Sequence, residues 1–450
     1  MMDQFHNQRA VVMGLGRFGG GIGVIRALVE TGADVLVTDS SDKETLAQSL
    51  QSLEDLESTS RLEFRFGPHE NSMLEHADVL VVNPAVPTPW NNPFITHARS
   101  LGIRVTTEIE LAYRQIPASN IIAVTGSAGK STTSAMIHHA CEQLNVPSVL
   151  MGNIGGSALQ TLQSIEQPQE TVFIIELSSA MLHWLWGNES QSPIVARPAV
   201  ACITNCLPNH IDWHGTYEHY EQSKRLLIGQ ESSSSMVILG DSISDWKSIH
   251  KGESKIFTTA DAITGCMVPG KHNAINAAMA TEALHAFRTD IPRIRFAEAV
   301  KSFTGLPHRL HLCHQADDID FYNDSKSTVP QATVLAAEAV SERTPMNAIH
   351  LICGGYDKGV DLTPIANIAH QLASVHTIGQ VGEDLAKSCN GVYSQGLEAA
   401  IESVVKIARP GDAVLLSPGC ASWDQFTNFE ERGEAFVSLV QQAMQAKALQ

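Results

Sequence analysis

Thr125-Gly126-Ser127-Ala128-Gly129-Lys130-Ser131-Thr132 stands between an apolar run, Ile121–Val124, and a helix-forming segment, Thr133–Gln143. A glycine-rich turn from strand to helix leaves several backbone N–H groups pointing into one concavity, where they can cradle phosphate oxygens. Lys130 can then reach the β and γ oxygens, and a hydroxyl of Ser131 or Thr132 can hold Mg²⁺. The strict phosphate-loop spacing would need glycine at Val124, so the match is to the physics rather than to the full pattern. The plain alternative is a tight strand-to-helix turn. Gly-Lys-Ser-Thr at a helix start favours phosphate binding.

Outward from this loop, short apolar runs ending in Gly, Asp, Asn or Ser recur with helix-length segments between them, as buried parallel strands of an α/β protein do. The candidate strands are Ala10–Met13, Asp34–Thr38, Ala77–Val82, Ile121–Thr125, Thr171–Ile175, Ala199–Thr204, Met236–Leu239, Ile319–Asn323, Ala348–Ile352, Val375–Ile378 and Asp412–Leu416. They fall into three sets, with breaks near Gln115–Ala118 and Phe303–Pro307. A chain of 450 residues at about 150 residues per domain gives the same count. Ser232–Ser235 is the only low-complexity stretch. Phe436, Leu439, Val440 and Ala443 follow helical spacing, so Glu430–Ala448 is expected to pack one face on the third sheet.

Hydrophobic residues at 43% and charged residues at 17% describe an ordinary globular chain. With 30 Lys and Arg against 48 Asp and Glu, the net charge is −18. A surface for nucleic acid or anionic membrane needs a basic stripe, so neither partner is expected. A small anion held locally by amides, one lysine or Mg²⁺ remains compatible with that charge. The eight cysteines lack paired short spacings and read as free thiols of a reducing cytoplasm. No signal peptide and no membrane insertion are expected.

A second glycine loop, Gly14-Leu15-Gly16-Arg17-Phe18-Gly19, follows the first strand, with Asp39 at the end of the second. The spacing satisfies the dinucleotide fingerprint and keeps a nicotinamide oxidoreductase open, although any nucleotide diphosphate could use such a turn. Glu176 ends the strand Thr171–Ile175, where a carboxylate beside a phosphate loop suits Mg²⁺; without that loop it would be a solvated strand end. Asn209-His210-Ile211-Asp212-Trp213-His214 has the residue types of a zinc hydrolase fragment, but no second cluster of ligand spacing accompanies it. Lys224 alone would read as a surface lysine.

Taken together, these blocks resemble the Mur ligases, the amino-acid-adding enzymes of peptidoglycan synthesis. The resemblance runs in order through Gly14–Gly19, Thr125–Thr132, Met151–Gly155, Glu176–Ser179, His210–Lys224, Gly270–Ala277, Gly305–Arg309, Asn323–Thr328, Gly354–Lys358 and Leu416–Gly433. The last block, with Ser-Pro-Gly-Cys-Ala-Ser-Trp-Asp-Gln-Phe and Asn-Phe-Glu-Glu-Arg-Gly, is the most specific to the D-glutamate-adding branch.

The resemblance implies an α/β protein of three domains: a Rossmann-like N-terminal domain (1–112) for the UDP-sugar, a central P-loop domain (113–304) for ATP and Mg²⁺, and a Rossmann-like C-terminal domain (305–450) for glutamate. It reassigns the first loop from a nicotinamide cofactor to UDP. Gly14, Leu15, Gly16, Arg17, Asp39, Ser40, Asn83 and Asn153 would then meet the acceptor, UDP-N-acetylmuramoyl-L-alanine. Gly126, Ser127, Ala128, Gly129, Lys130, Ser131, Thr132, Asn273, Asn276, Arg309, Asp324 and Lys326 would meet ATP. Lys130, Glu176, His210 and Lys224 would be catalytic. One Mg²⁺ would sit on Ser131 or Thr132 with Glu176, and a second on His210 and a carbamylated Lys224. Thr328, Lys358, Ser422 and Phe429 would hold D-glutamate. The family pattern also implies a cytoplasmic enzyme, expected to be a monomer. This chain departs from it at Ser40-Ser41, where a Thr-Arg pair is common, at Ser127-Ala128, where Thr-Asn is common, and at Asn209, where Asp is usual. Asn209 is the one hint of a non-catalytic relative that only binds the nucleotide sugar.

Overall fold

The computed structural model describes residues 2–16, 19–56, 59–187, 195–229 and 236–448. Arg17 and the Ser232–Ser235 stretch lie outside the described residues. Within them, seventeen strands form three sheets, as the three strand sets predict.

The first sheet has the order β3-β2-β1-β4-β5, built from β1 (Arg9–Met13), β2 (Asp34–Asp39), β3 (Leu62–Phe66), β4 (Val79–Val82) and β5 (Arg104–Thr106). All its pairings are parallel. The order reverses between β1 and β4, and a crevice for a ligand opens at such a point, beyond the strands' C-terminal ends. The second sheet has the order β11-β10-β9-β6-β8-β7, from β6 (Ile121–Thr125), β7 (Ser148–Gly152), β8 (Val172–Glu176), β9 (Val200–Ile203), β10 (Met236–Gly240) and β11 (Ser254–Phe257), again all parallel. The strand that delivers the phosphate loop is therefore flanked by β8, ending in Glu176, and by β9.

The third sheet runs β12-β13-β17-β14-β15-β16, from β12 (His311–Ala316), β13 (Ile319–Asn323), β14 (Ile349–Gly354), β15 (Ser374–Ile378), β16 (Val392–Tyr393) and β17 (Ala413–Leu416). Only β12 is antiparallel, to β13. Because β13, β17 and β14 are adjacent and parallel, the loops that leave them all emerge at one edge.

The chain forms two compact units. Met1–Ala260 with Ala278–Phe296 makes the first, which holds two sheets, and Asp261–Ala277 with Ala297–Gln450 makes the second, which holds the third sheet. One continuous apolar core joins the two sheets of the first unit, with Val12, Val37 and Val81 in the same cluster as Ile121, Phe173 and Ile203. Polar ties reinforce it: Glu108 accepts from Ser157 Oγ and Leu159 N–H, both at 2.8 Å, and Trp213 Nε1–H donates to Pro84 O at 3.0 Å. In the second unit the sheet is covered on two faces, one cluster centred on Leu351 and Ile365, the other on Phe321, Phe436 and Val440. Phe436 and Val440 come from the final helix, Phe429–Ala448, so the helical spacing identified its buried stripe. All eight cysteines are free. Among the described residues no helix is long and apolar enough to cross a membrane.

Candidate active site

At the end of β6 the chain turns through Gly126 at φ +152°, where a Cβ would overlap the Thr204 hydroxyl. Only glycine fits there. The helix Lys130–Gln143 then starts from Gly129 in the left-handed region with no side-chain cap. Glu108–Tyr113 and Ser179–Trp186 are capped by Thr107 and Ser178, whereas Lys130–Gln143, like Gly20–Glu30 and Ile211–His214, has no side-chain cap. Uncapped amides at a helix start attract an anion. The N–H groups of Ser127 and Ala128 donate to Asn205 Oδ1 at 3.1 and 2.9 Å, and that oxygen stands in for the acceptor such a concavity is built to hold. Lys130 Nζ donates back to the Gly126 and Ser127 carbonyls at 2.9 and 3.2 Å. Tyr220 OH meets Ser127 Oγ at 2.6 Å, and Thr204 Oγ1 donates to the Ala128 carbonyl. Ser131 is buried and Thr132 half-buried in the first helical turn.

Glu176 is not a solvated strand end. It is fully buried; Oε1 accepts from Asn153 Nδ2 at 2.8 Å, and Oε2 is buried without a hydrogen-bond partner. A buried carboxylate oxygen with no donor is costly unless a cation meets it, which fits the oxygen chemistry of Mg²⁺. The reading of Lys224 as a surface residue is likewise overturned. The helix Tyr217–Arg225 buries it to 1% exposure, with Nζ donating to Gly126 O at 2.8 Å and Thr125 Oγ1 at 3.3 Å, over the Tyr220 ring at 4.8 Å. Burial, helped by the Lys130 charge, pulls its amine down to about 7. Such a lysine can lose its proton near neutrality.

His210 is exposed and sits at φ 52°, before the short helix Ile211–His214. Its N–H donates to Asn209 Oδ1 at 2.9 Å. His214 is buried, with Nε2 on Ser179 Oγ at 2.9 Å and Nδ1 on His219 Nδ1 at 2.8 Å, and burial lowers it to about 3. Both His214 nitrogens are thus committed inside the protein, which separates it from His210 and removes the paired-histidine geometry of the zinc reading. Among the described residues no group of three or more His, Cys, Asp or Glu could hold a metal by itself. A Mg²⁺ here would draw on hydroxyls and phosphate oxygens as well as Glu176.

In the first sheet, Gly14 and Gly16 surround the crevice between β1 and β4. Gly14, at φ +92°, would bring a Cβ to 2.8 Å from Asn83 Cβ, and Asn83 Nδ2 donates to Gly14 O at 3.4 Å. Asp39 is buried and binds its own neighbourhood: Oδ2 accepts from Gly16 N–H at 3.2 Å and Oδ1 from Ser41 N–H at 2.9 Å. Leu15 is fully buried in the core, leaving only its backbone to face a ligand. Ser40 is exposed, and with Ser41, Lys43, Phe64, Phe66 and Gly67 it lines an open cleft past the ends of β2 and β3.

The second unit carries the remaining expected residues. Thr328 follows β13, Lys358 follows β14, and Ser422 follows β17, so three adjacent strands bring the glutamate set to one edge, with Phe429 opening the final helix. Asn273, Asn276, Arg309, Asp324 and Lys326 belong to this unit, whereas Gly126–Thr132 belongs to the first. Asn273 Nδ2 donates to Pro269 O at 2.7 Å. Asp324 accepts from Leu310 N–H, Ser327 Oγ and Ser417 Oγ, and burial raises it to about 6. Lys326 Nζ lies 4.9 Å over the Phe429 ring. Arg432, the arginine of the Asn-Phe-Glu-Glu-Arg-Gly stretch, has no role in the sequence reading. It is buried with no carboxylate partner among its hydrogen bonds, which go to Ser325 Oγ and O and to the carbonyls of Cys420 and Ala421. It ties the loop after β13 to the loop after β17. Asn205 was likewise missed, since an asparagine in a strand exit carries no signal of its own.

A glycine loop with a buried carboxylate and a buried lysine at the end of a parallel sheet is the arrangement that α/β enzymes acting on nucleotide phosphates need. Comparison with known proteins narrows this. The family model for the Mur ligase MurD-like N-terminal domain matches residues 8–107, that for the Mur ligase middle domain 124–263, and that for the Mur ligase glutamate ligase domain 308–420. Curated relatives include the UDP-N-acetylmuramoylalanine--D-glutamate ligases of Alkaliphilus oremlandii, 31% identical over 93% of this chain and 95% of that protein, and of Exiguobacterium sibiricum, 31% identical over 98% of each. Solved structures with the same fold include UDP-N-acetylmuramate-alanine ligase from Thermotoga maritima (TM-score 0.54, 18% identity, 97% of this chain, 99% of that one). MurF ligase from the same organism, solved with ADP, also matches (TM-score 0.54, 14% identity, 99% and 97%). The chain belongs to the Mur ligase family.

Proposed function

We propose that this chain joins D-glutamate to UDP-N-acetylmuramoyl-L-alanine at the expense of ATP, a step of peptidoglycan synthesis. The observation that carries the reading is the grouping at the end of the second sheet: a phosphate loop with Lys130, the fully buried Glu176 with a spare oxygen, and the buried Lys224. The names of the curated relatives supply the substrates.

A carboxylate does not acylate an amine at neutral pH, so the reaction needs activation. The acceptor's alanyl carboxylate attacks the γ-phosphorus of ATP, forming an acyl phosphate and releasing ADP. The glutamate amine then attacks the acyl carbon, and the tetrahedral intermediate expels phosphate to leave an amide. In the first step the Gly126–Thr132 amides and Lys130 hold the phosphates, and Asn153, fixed on Glu176, presents its amide to the acceptor. Ser131 or Thr132 with Glu176 would hold one Mg²⁺, and His210 with Lys224 a second; the ions would neutralise charge spreading over the transferred phosphoryl group. A free ammonium repels a cation, so Lys224 would serve as a carbamate, formed when its neutral amine adds to CO₂ and loses a proton. An amine held near 7 by burial supports that chemistry.

Asp39, Ser40, Asn83 and the Gly14–Gly16 backbone would hold the UDP-sugar, together with Arg17. Thr328, Lys358, Ser422 and Phe429 would hold D-glutamate, Lys358 pairing with its side-chain carboxylate. Asn273, Asn276, Arg309, Asp324 and Lys326 complete the proposed nucleotide contacts. The roles divide as 1–112 for UDP-sugar, 113–304 for ATP and 305–450 for the amino acid, in a cytoplasmic monomer. Incubation with ATP, Mg²⁺, the acceptor and a panel of D- and L-amino acids tests the reading: phosphate release is expected with D-glutamate. Release no greater than in the absence of acceptor overturns it.

A further inference from the structure

Beside the expected glutamate residues stands an aromatic pair, Tyr356 and Trp423, that lies within the resembling blocks but to which the resemblance gives no role. Trp423 is 62% exposed and Tyr356 37% exposed, with ring centroids 5.6 Å apart, and Lys358 Nζ lies 4.5 Å over the Trp423 ring. An exposed tryptophan is ordinary on a loose loop, but this one stands on a pinned backbone. The preceding carbonyls of Cys420 and Ala421 accept from the buried Arg432, and Ala421 O also accepts from Tyr356 N–H at 2.9 Å. The following residue, Asp424, accepts from Gln380 N–H at 2.8 Å, and Gln425 Nε2 donates to Gln395 O at 2.8 Å. Lys358, in contrast, is an exposed long side chain next to Gly359. An indole on a fixed stretch of backbone, flanked by the Tyr356 ring, is therefore presented to a lysine that would otherwise sample many rotamers.

We propose that Trp423 is a positioning residue for the amino-acid substrate: its indole face fixes the Lys358 ammonium where it meets the side-chain carboxylate of the incoming acid. The inference rests on the glutamate-binding reading of Lys358 given above. A cation over an indole face is attracted by the ring quadrupole, and holding it there removes rotamer freedom that binding would otherwise have to freeze. The ring leaves the ammonium hydrogens free for the carboxylate, so one lysine serves both partners. Tyr356 supports the indole from beside it.

The test uses the full chain and steady-state phosphate release with D-glutamate. Trp423→Leu is expected to raise KM for D-glutamate about threefold to fivefold, with kcat within about twofold and KM for ATP unchanged. Trp423→Tyr, which restores an aromatic face, should recover most of the loss. In a Lys358→Met background Trp423→Leu should add almost nothing, since the tryptophan acts through the lysine. An unchanged KM for D-glutamate in Trp423→Leu overturns the proposal, as does a loss of the same size that persists without Lys358. Thermal melts of both Trp423 variants separate these outcomes from misfolding. If the wild-type chain releases no phosphate with D-glutamate, the glutamate reading itself falls, and this inference with it.

Discussion

The two glycine loops of the first unit look alike in sequence and differ in what surrounds them. Each follows a central parallel strand and opens a helix without a side-chain cap, Gly20–Glu30 in one case and Lys130–Gln143 in the other. Around Gly14–Gly16 the described neighbours include a buried carboxylate, Asp39, a neutral amide, Asn83, and the Ser49 hydroxyl, with no lysine among the described residues bonded to the loop. Around Gly126–Gly129 two lysines bond the loop carbonyls, with Asn205 Oδ1 on the loop amides and the buried Glu176 on the neighbouring strand. A carboxylate with no cation beside it favours hydroxyl or imide donors, whereas two cations next to a carboxylate that can take Mg²⁺ favour a polyphosphate. Loop backbone thus makes an anion site possible, and the flanking strands decide which part of a nucleotide it takes.

The largest expected break in that contrast is Lys130→Ala, which should lower kcat by about a thousandfold, as loss of one preorganised charge at a phosphoryl-transfer site does. Its counterpart in the first loop, Asp39→Asn, should leave kcat nearly intact and raise KM for the UDP-sugar about tenfold. Equal effects on kcat would erase the distinction between the loops.

Lys224→Met should also abolish turnover, but with an opposite effect on stability. Burial holds this amine at about 7, against an ordinary lysine value of 10.5, so between those values the unfolded chain binds a proton that the folded chain does not. The cost to stability is full below pH 7 and is relieved as pH rises toward 10.5. In CO₂-free buffer, urea melts should therefore show Lys224→Met more stable than wild type at pH 6, with the gap narrowing by pH 9. A gap that widens with pH would show that the lysine is charged when folded.

The smallest effect is expected from Asn209→Asp, which keeps the acceptor for His210 N–H and adds one negative charge at an exposed position. Half-saturating Mg²⁺ should fall by about twofold to fivefold, with little change in kcat.

Sequence made all eleven interior strands legible and none of the six at the sheet edges. β3, β5, β7, β11, β12 and β16 each close one side of a sheet. An interior parallel strand is buried on both faces and reads as an unbroken apolar run, such as Val79–Val82 or Ala413–Leu416. An edge strand is covered less: Leu62–Phe66 alternates half-buried and exposed positions, and Val392–Tyr393 is exposed throughout. It is either broken by charged residues, as at Glu63 and Arg65, or too short or too lightly covered to stand out as an apolar run, as at Val392–Tyr393. The site divides in the same way. Lys130 and Glu176 were legible because a loop and a strand end mark their positions. The burial of Lys224 was not, because it depends on a helix returning over the phosphate loop, and neither Asn205 nor Trp423 announces its neighbours along the chain.

Arg432 has a bearing on how the loops of the second unit are spaced. Its guanidinium is buried, lowered to about 10 by that burial, and it gathers the backbone of Ser325, Cys420 and Ala421 onto the start of the last helix. Ser325 stands 107 positions before Arg432 and Cys420 only 12 before it. One guanidinium therefore closes a long chain loop and a short one at the same point, so the spacing between the loops that carry Thr328 and Ser422 is set in part by a helix that supplies no expected contact beyond Phe429.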